Sequence, residues 1–176
     1  MRNLSMPGSE IPNWFSQEVS FSERRNREIR AVIIAVVVSI DHQEADNLRV
    51  ADNLRAQLPA VPDVQARILK FTEPIYRTTL YLLGIPRSRE DQMHMCWCSP
   101  LQPLVSQLKD GYKMEVGKRN PPVIEGIHLK KHGIYLVHEN DDDYDGSEET
   151  LDESQQSVSQ RLAKFFNSTQ EDGHGS

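Results

Sequence analysis

Cysteine, aromatic residues and long apolar runs are all scarce in this 176-residue chain, which holds two Cys, two Trp, five Tyr and five Phe. Cys96 and Cys98 stand two positions apart. Such neighbours cannot staple distant segments, so a disulfide framework is excluded and a reducing compartment is expected. The longest apolar run, Ala31–Val38, is eight residues, far below the roughly 20 that span a bilayer as a helix. Met1–Pro12 has no apolar signal-peptide core, so a soluble intracellular protein is expected, with no membrane partner. Excess positive charge is missing too: the net charge is −6. No basic stripe interleaves with aromatics, which speaks against a nucleic-acid partner. Nucleophile elbow, phosphate loop, dinucleotide fingerprint and zinc-helix motif are absent. Nothing recommends an enzyme, and no cofactor is expected.

The charge that is present is unevenly placed. From Glu139 to Ser176 the net charge is −9, whereas residues 1–138 carry +3. A solvated acidic run cannot build a core, so it marks an edge of the folded unit. Two regions follow: a body over residues 1–140, large enough to bury a core, and an appendage over 141–176.

Within the body, short strands recur between turn signals. Val19–Arg24 alternates apolar and polar residues. Ile29–Ile40 holds the β-branched run Ala31–Val38, which suits a strand covered on both faces at the centre of the fold. Gln65–Phe71 and Thr78–Ile85 read as strands, as does Asp91–Cys98, which sets Met93, Met95 and Trp97 against His94, Cys96 and Cys98. Leu101–Leu108, behind prolines, suits a short helix. Asp110-Gly111 turns into Tyr112–Val116. Val123–Lys130 and Ile134–His138 then read as two strands joined by a turn at His132-Gly133. Eight short strands with little helix indicate an all-β fold, a β-sandwich.

Met6–Phe15, with two prolines and a glycine, is excluded from helix and central strand. It reads as an extended lead-in whose Trp14 and Phe15 plug the edge of a core. Asp41–Ala60 contains Ala45-Asp46-Asn47-Leu48-Arg49 repeated as Ala51-Asp52-Asn53-Leu54-Arg55. A six-residue period builds no solenoid, so this is a duplicated surface connection. In the appendage, Thr150-Leu151-Asp152-Glu153 spells a capping box. Leu151, Val158, Leu162 and Phe165 share one face of the helix that follows to about Asn167; too short to be stable alone in water, it should dock on the body or on a partner, the body being the simpler surface.

Candidate metal ligands are few. Asp141, Asp143, Asp145 and Asp152, with Gly146, match the spacing of a calcium-binding loop. The entering segment reads as a strand, however, and Asp152 is a short final ligand, so a solvated acidic linker is the simpler reading and no metal site is expected. His94, Cys96 and Cys98 share one strand face, but the first and last lie about 13 Å apart. One zinc cannot collect all three. His128, His132 and His138 lack a carboxylate or Cys at metal-site spacing.

Pro7-Gly8-Ser9-Glu10-Ile11-Pro12-Asn13-Trp14-Phe15 resembles the opening motif of the C-terminal jelly-roll/Ig-like domain that follows the leucine-rich repeats of plant TIR-type NB-LRR disease-resistance receptors. Val32–Ser39 looks like that family's apolar strand, and Asp91-Gln92-Met93-His94-Met95 resembles its Ser-Asp-His-apolar strand. Val123–Val137 looks like its closing hairpin, with His132 in place of the usual Cys. The resemblance covers roughly Leu4–Asn140. It implies a jelly-roll/Ig-like β-sandwich, here with a short C-terminal α-helix after an acidic linker. It also implies a non-catalytic recognition domain in the cytoplasm or nucleus, packed on leucine-rich repeats and binding a pathogen effector protein.

The family's effector-contact loops vary, so no contact residue carries over by motif. Long polar connections on a rigid sandwich point instead to Asn47, Arg49, Asn53 and Arg55, and to Arg87 and Arg89 of the Pro86–Glu90 turn. Two other readings fit a sandwich. A carbohydrate-binding module needs an exposed aromatic platform, and a calcium-responsive adaptor needs the acidic loop.

Overall fold

The computed structural model describes residues 2–21, 29–40, 61–82, 91–120, 126–138 and 158–174. Eight strands occur among them: β1 (Arg2–Pro7), β2 (Glu18–Ser20), β3 (Ile29–Ile40), β4 (Val61–Lys70), β5 (Glu73–Leu82), β6 (Gln92–Cys98), β7 (Tyr112–Lys118) and β8 (Ile127–His138). Two helices accompany them, α1 (Pro103–Ser106) and α2 (Val158–His174). The strands form two four-stranded sheets, ordered β1-β6-β3-β8 and β2-β7-β4-β5, with every pairing antiparallel. Among the described strands, only β4 and β5 are consecutive members of one sheet; every other consecutive pair is divided between the two sheets. This is a β-sandwich wound between two layers, as in a jelly roll.

Strand β3 fixes the layers. Its even-numbered residues Val32, Ile34, Val36 and Val38 face the second sheet and join Val64, Ala66, Ile68, Met114 and Val116 in the inter-sheet core. Its odd-numbered residues Ile33, Ala35 and Val37 face outward yet are equally buried. Other chain segments cover them: Met6, Ile11, Trp14 and Phe15 of the lead-in, and Val158, Leu162, Phe165 and Phe166 of α2. A strand buried on both faces cannot alternate apolar and polar residues, which is why this run is continuous. The segment α1 starts with Pro103, whose fixed φ suits the first helical turn. Leu104, Val105 and Leu108 enter the inter-sheet core there, and α1 touches β3 of one sheet and β5 of the other.

Three sequence expectations need correction. His132-Gly133 is not a turn: β8 runs unbroken from Ile127 to His138, pairing along β3, with Gly133 opposite Ala35. The lead-in is preceded by a strand, β1, which lies at a sheet edge, where Pro7 removes no ladder hydrogen bond from a central position. β5 begins at Glu73 rather than Thr78, after a hairpin turn in which Phe71 takes φ 60°.

Helix α2 starts at Val158 among the described residues and continues past Asn167 to His174. It packs on the outer face of the first sheet through Val158, Leu162, Phe165 and Phe166. The capping box at 150–153, with Leu151, lies outside the described residues.

Candidate interaction surfaces

The lead-in is fastened to the first sheet by polar and apolar contacts together. Gly8 N–H donates to the Asp91 carbonyl at 3.0 Å. Ser9 Oγ donates to Asp91 Oδ2 at 3.0 Å, and Lys130 Nζ donates to Asp91 Oδ1 at 2.8 Å. The Lys130 ammonium, helped by Ser9 and by the charge of Lys131, holds the Asp91 carboxyl below its usual range, and burial only partly opposes this. One residue on, Lys131 Nζ pairs with Glu10 Oε2 at 2.8 Å. The chain then turns across β8, and Ser16 exchanges backbone hydrogen bonds with Ile134 at 2.9 and 2.7 Å. This crossing needs a residue without a side chain beneath it. A Cβ at position 133 would lie 2.8 Å from both Ile11 Cδ1 and Phe15 Cβ.

Where the lead-in ends, three rings meet. Trp14 contacts Phe15 and Tyr135 edge-on, each with centroids 4.7 Å apart. Arg161 of α2 closes the cluster: its Cζ is 4.0 Å from the Trp14 centroid and 5.7 Å from that of Tyr135. It also donates from Nη1 to Tyr135 Oη at 3.5 Å. Trp14, Phe15 and Tyr135 thus form a receptor for the helix, with one cation set over π faces. Trp97 also packs into this outer-face cluster. Both tryptophans are therefore engaged within the fold, and neither supplies the exposed platform of a sugar-binding module.

The inner face of β6 carries His94, Cys96 and Cys98, all buried. The two cysteines are free thiols within the inter-sheet core. Their mutual hydrogen bond acts in opposite senses on the two thiols: with burial it pushes Cys96 up, and it lowers Cys98 against the effect of burial. Neither ring nitrogen of His94 has a hydrogen-bond partner among the described residues. Burial depresses its pKa to about 4, so it sits neutral between the sheets. Register places it opposite Ser5 on β1 and Val36 on β3, with His132 one strand further across. No group of three or more His, Cys, Asp or Glu is arranged to hold a metal among the described residues.

The second sheet presents a polar outer face. Arg67 and Arg77 lie opposite each other on β4 and β5, and Arg67 pairs with Glu115 of β7 at 2.9 Å. Arg67 reaches it across Gly117, where a Cβ would meet its Nη2 at 2.8 Å. Ile75, Tyr81 and Phe71 are exposed apolar residues along the same hairpin.

The effector-contact candidates Asn47, Arg49, Asn53, Arg55, Arg87 and Arg89 all lie outside the described residues, as do the calcium-loop candidates Asp141, Asp143, Asp145 and Asp152. Sequence reasoning missed the Arg161 contact and the exposed β5 hairpin. The first had a faint signal, an Arg among the apolar positions of an amphipathic segment. The second had none, because nothing local marks a strand as an edge. Among the described residues no helix is long and apolar enough to cross a membrane. No protein-family model matches this chain, and no curated protein matches it.

Proposed function

We propose that this chain is a non-catalytic recognition domain of a plant intracellular immune receptor, the jelly-roll/Ig-like module that follows the leucine-rich repeats of TIR-type NB-LRR proteins. In this role the sandwich packs on the last repeats and binds a pathogen effector protein through its inter-strand connections. It works in the cytoplasm or nucleus and needs no cofactor.

One observation supports the reading above others. The stretches that carry the family resemblance are far apart in the sequence: 7–15, 32–39, 91–95 and 123–137. Their described parts meet in one place, as the lead-in and strands β3, β6 and β8 of the first sheet. The Asp91–Ser9, Asp91–Lys130 and Glu10–Lys131 contacts tie three of the four stretches directly to one another. Motif residues that build a shared scaffold leave specificity to the connections between strands. Asn47, Arg49, Asn53 and Arg55, with Arg87 and Arg89, are the proposed contacts on that ground.

The test is a loop replacement in the full-length receptor. Exchanging Asp41–Ala60 for a short Gly/Ser linker is expected to leave the domain's melting curve intact and to abolish recognition of the effector. Recognition that persists in a folded variant removes that connection from the binding site.

A further inference from the structure

His94 is 1% exposed, and neither ring nitrogen has a hydrogen-bond partner among the described residues. A neutral imidazole always carries one N–H donor and one bare acceptor. Both are unmet here, and an imidazolium in the same place would be costlier still. In register the residue lies between Ser5 of β1 and Val36 of β3, with Gln92 and Cys96 next along its own face of β6. The second sheet and α1 present apolar side chains to this core, among them Val64, Ile68, Met114 and Leu104. The titratable groups in or beside the core are Cys96, Cys98, Tyr76, Tyr112 and His132, none of them a carboxylate. Asp63 of β4 is buried too, but its interactions do not include His94. Burial alone displaces the pKa of His94, with no charge contributing.

On one side a single strand separates His94 from the rim of the sheet. Among the described residues, β1 pairs with β6 and with no other strand, over six residues. Pro7, at its end, supplies no N–H to the ladder. Leu4 is 43% exposed, and Ser5, directly opposite His94, is only half-buried. On the other side stands β3, the central strand, with β8 beyond it. Moving β1 aside hydrates the ring for the loss of one edge pairing, whereas every other route parts a central strand or the two sheets. Past the proline the chain stays fastened: Gly8 N–H donates to the Asp91 carbonyl, and Trp14 and Phe15 pack on the outer face.

We propose that β1 is an acid-released strand: when His94 takes up a proton, β1 leaves β6 and water reaches the imidazolium, while the two sheets otherwise hold. The release is local, which distinguishes it from acid unfolding of the whole domain. It is independent of the receptor reading.

Hydrogen exchange of the full chain at about pH 7 and about pH 4.5, corrected for the intrinsic pH dependence of amide exchange, tests it. The amides to follow are those of Asn3–Met6 in β1 and of Tyr112–Lys118 in β7. β1 is expected to exchange faster than β7 at both values, because it opens without the rest of the fold. A hydrated pKa of 6.5 against a folded one of about 4 makes the opening of β1 rise by about 60-fold across that interval. In His94→Met the rise should vanish. Equal exchange in β1 and β7 would overturn the proposal, since β1 would then open only with the whole domain. A β1 that exchanges faster but does not respond to acid would overturn it as well, because the strand would fray without exposing His94. A rise that persists in His94→Met would assign the release to another group, such as the Asp91 contacts. Should that variant not fold, the comparison of β1 with β7 in the wild type decides alone.

Discussion

The guanidinium carbon of Arg161 lies 4.0 Å from the centre of the Trp14 ring. One residue belongs to the last helix and the other to the lead-in, and the contact joins the two segments that cover β3 from outside. Arg161→Ala is expected to loosen α2 by about 1 kcal/mol, the usual worth of a partly desolvated cation–π pair. Leu162→Ala is expected to loosen it more, by about 2 kcal/mol, through lost burial. Amide exchange over Val158–Phe166 and tryptophan fluorescence read both effects. Equal protection in the wild type and the Leu162 variant would show that the helix is not held by this face.

Trp14 itself anchors the cluster. Trp14→Ala is expected to destabilise the body by about 3 kcal/mol, the lower end for an emptied aromatic site, because the ring is only half-buried. A melting temperature that does not move would mean the lead-in is not packed on the sheet.

Gly133 is a packing requirement rather than a turn. The Cβ of Gly133→Ala would lie 2.8 Å from Ile11 and from Phe15, so the lead-in must shift away. The expected cost is about 1–3 kcal/mol, as for other overpacked sites. Ile11→Ala in the Gly133→Ala background should recover part of it. Two costs that simply add would show that the residues do not meet.

His94 gives stability a dependence on pH. Its folded pKa is about 4 against an ordinary 6.5, because burial penalises the imidazolium. The unfolded chain therefore takes up the proton more readily than the folded one. The contribution is intact above 6.5 and is lost as pH falls toward 4. The whole gap corresponds to about 3 kcal/mol. Inner-face neighbours in register are Ser5, Val36, Gln92 and Cys96, none of them an acid that would stabilise the cation. Urea midpoints measured at about pH 7 and about pH 4.5 should separate in the wild type and draw together in His94→Met. A separation unchanged by that substitution would assign the effect to other groups.

Phe71 breaks two local rules at once: it is 80% exposed and has φ 60°. A bulky residue in the left-handed region is strained by about 1 kcal/mol or more, and Asn tolerates that region better. Phe71→Asn is expected to raise the melting temperature by a few degrees. A fall would mean that the ring stabilises the hairpin despite its exposure.

The sequence read most reliably where burial leaves a local pattern. β3 was legible as a strand covered on both faces because its apolar residues run without alternation. The two faces of β6 were legible because Met93, Met95 and Trp97 alternate with His94, Cys96 and Cys98, and both sets landed as expected. The apolar face of α2 was legible at Val158, Leu162 and Phe165, though its start was not. The errors fell where a residue answers to something distant. His132-Gly133 reads as a turn to its neighbours, but Gly133 is small because Ile11 and Phe15 cross it. β1 was hidden by the proline that ends it, which an edge position tolerates.

By itself, then, the sequence determined the class of fold, the central strand and a cysteine pair too close together to staple distant segments, since alternation and composition are set residue by residue. Only the tertiary structure decided which strands lie at edges, what covers β3 from outside and that Arg161 meets Trp14. Those relations join segments far apart in the chain, and hydrogen-bond pairing across a sheet leaves no mark in the local order of residues.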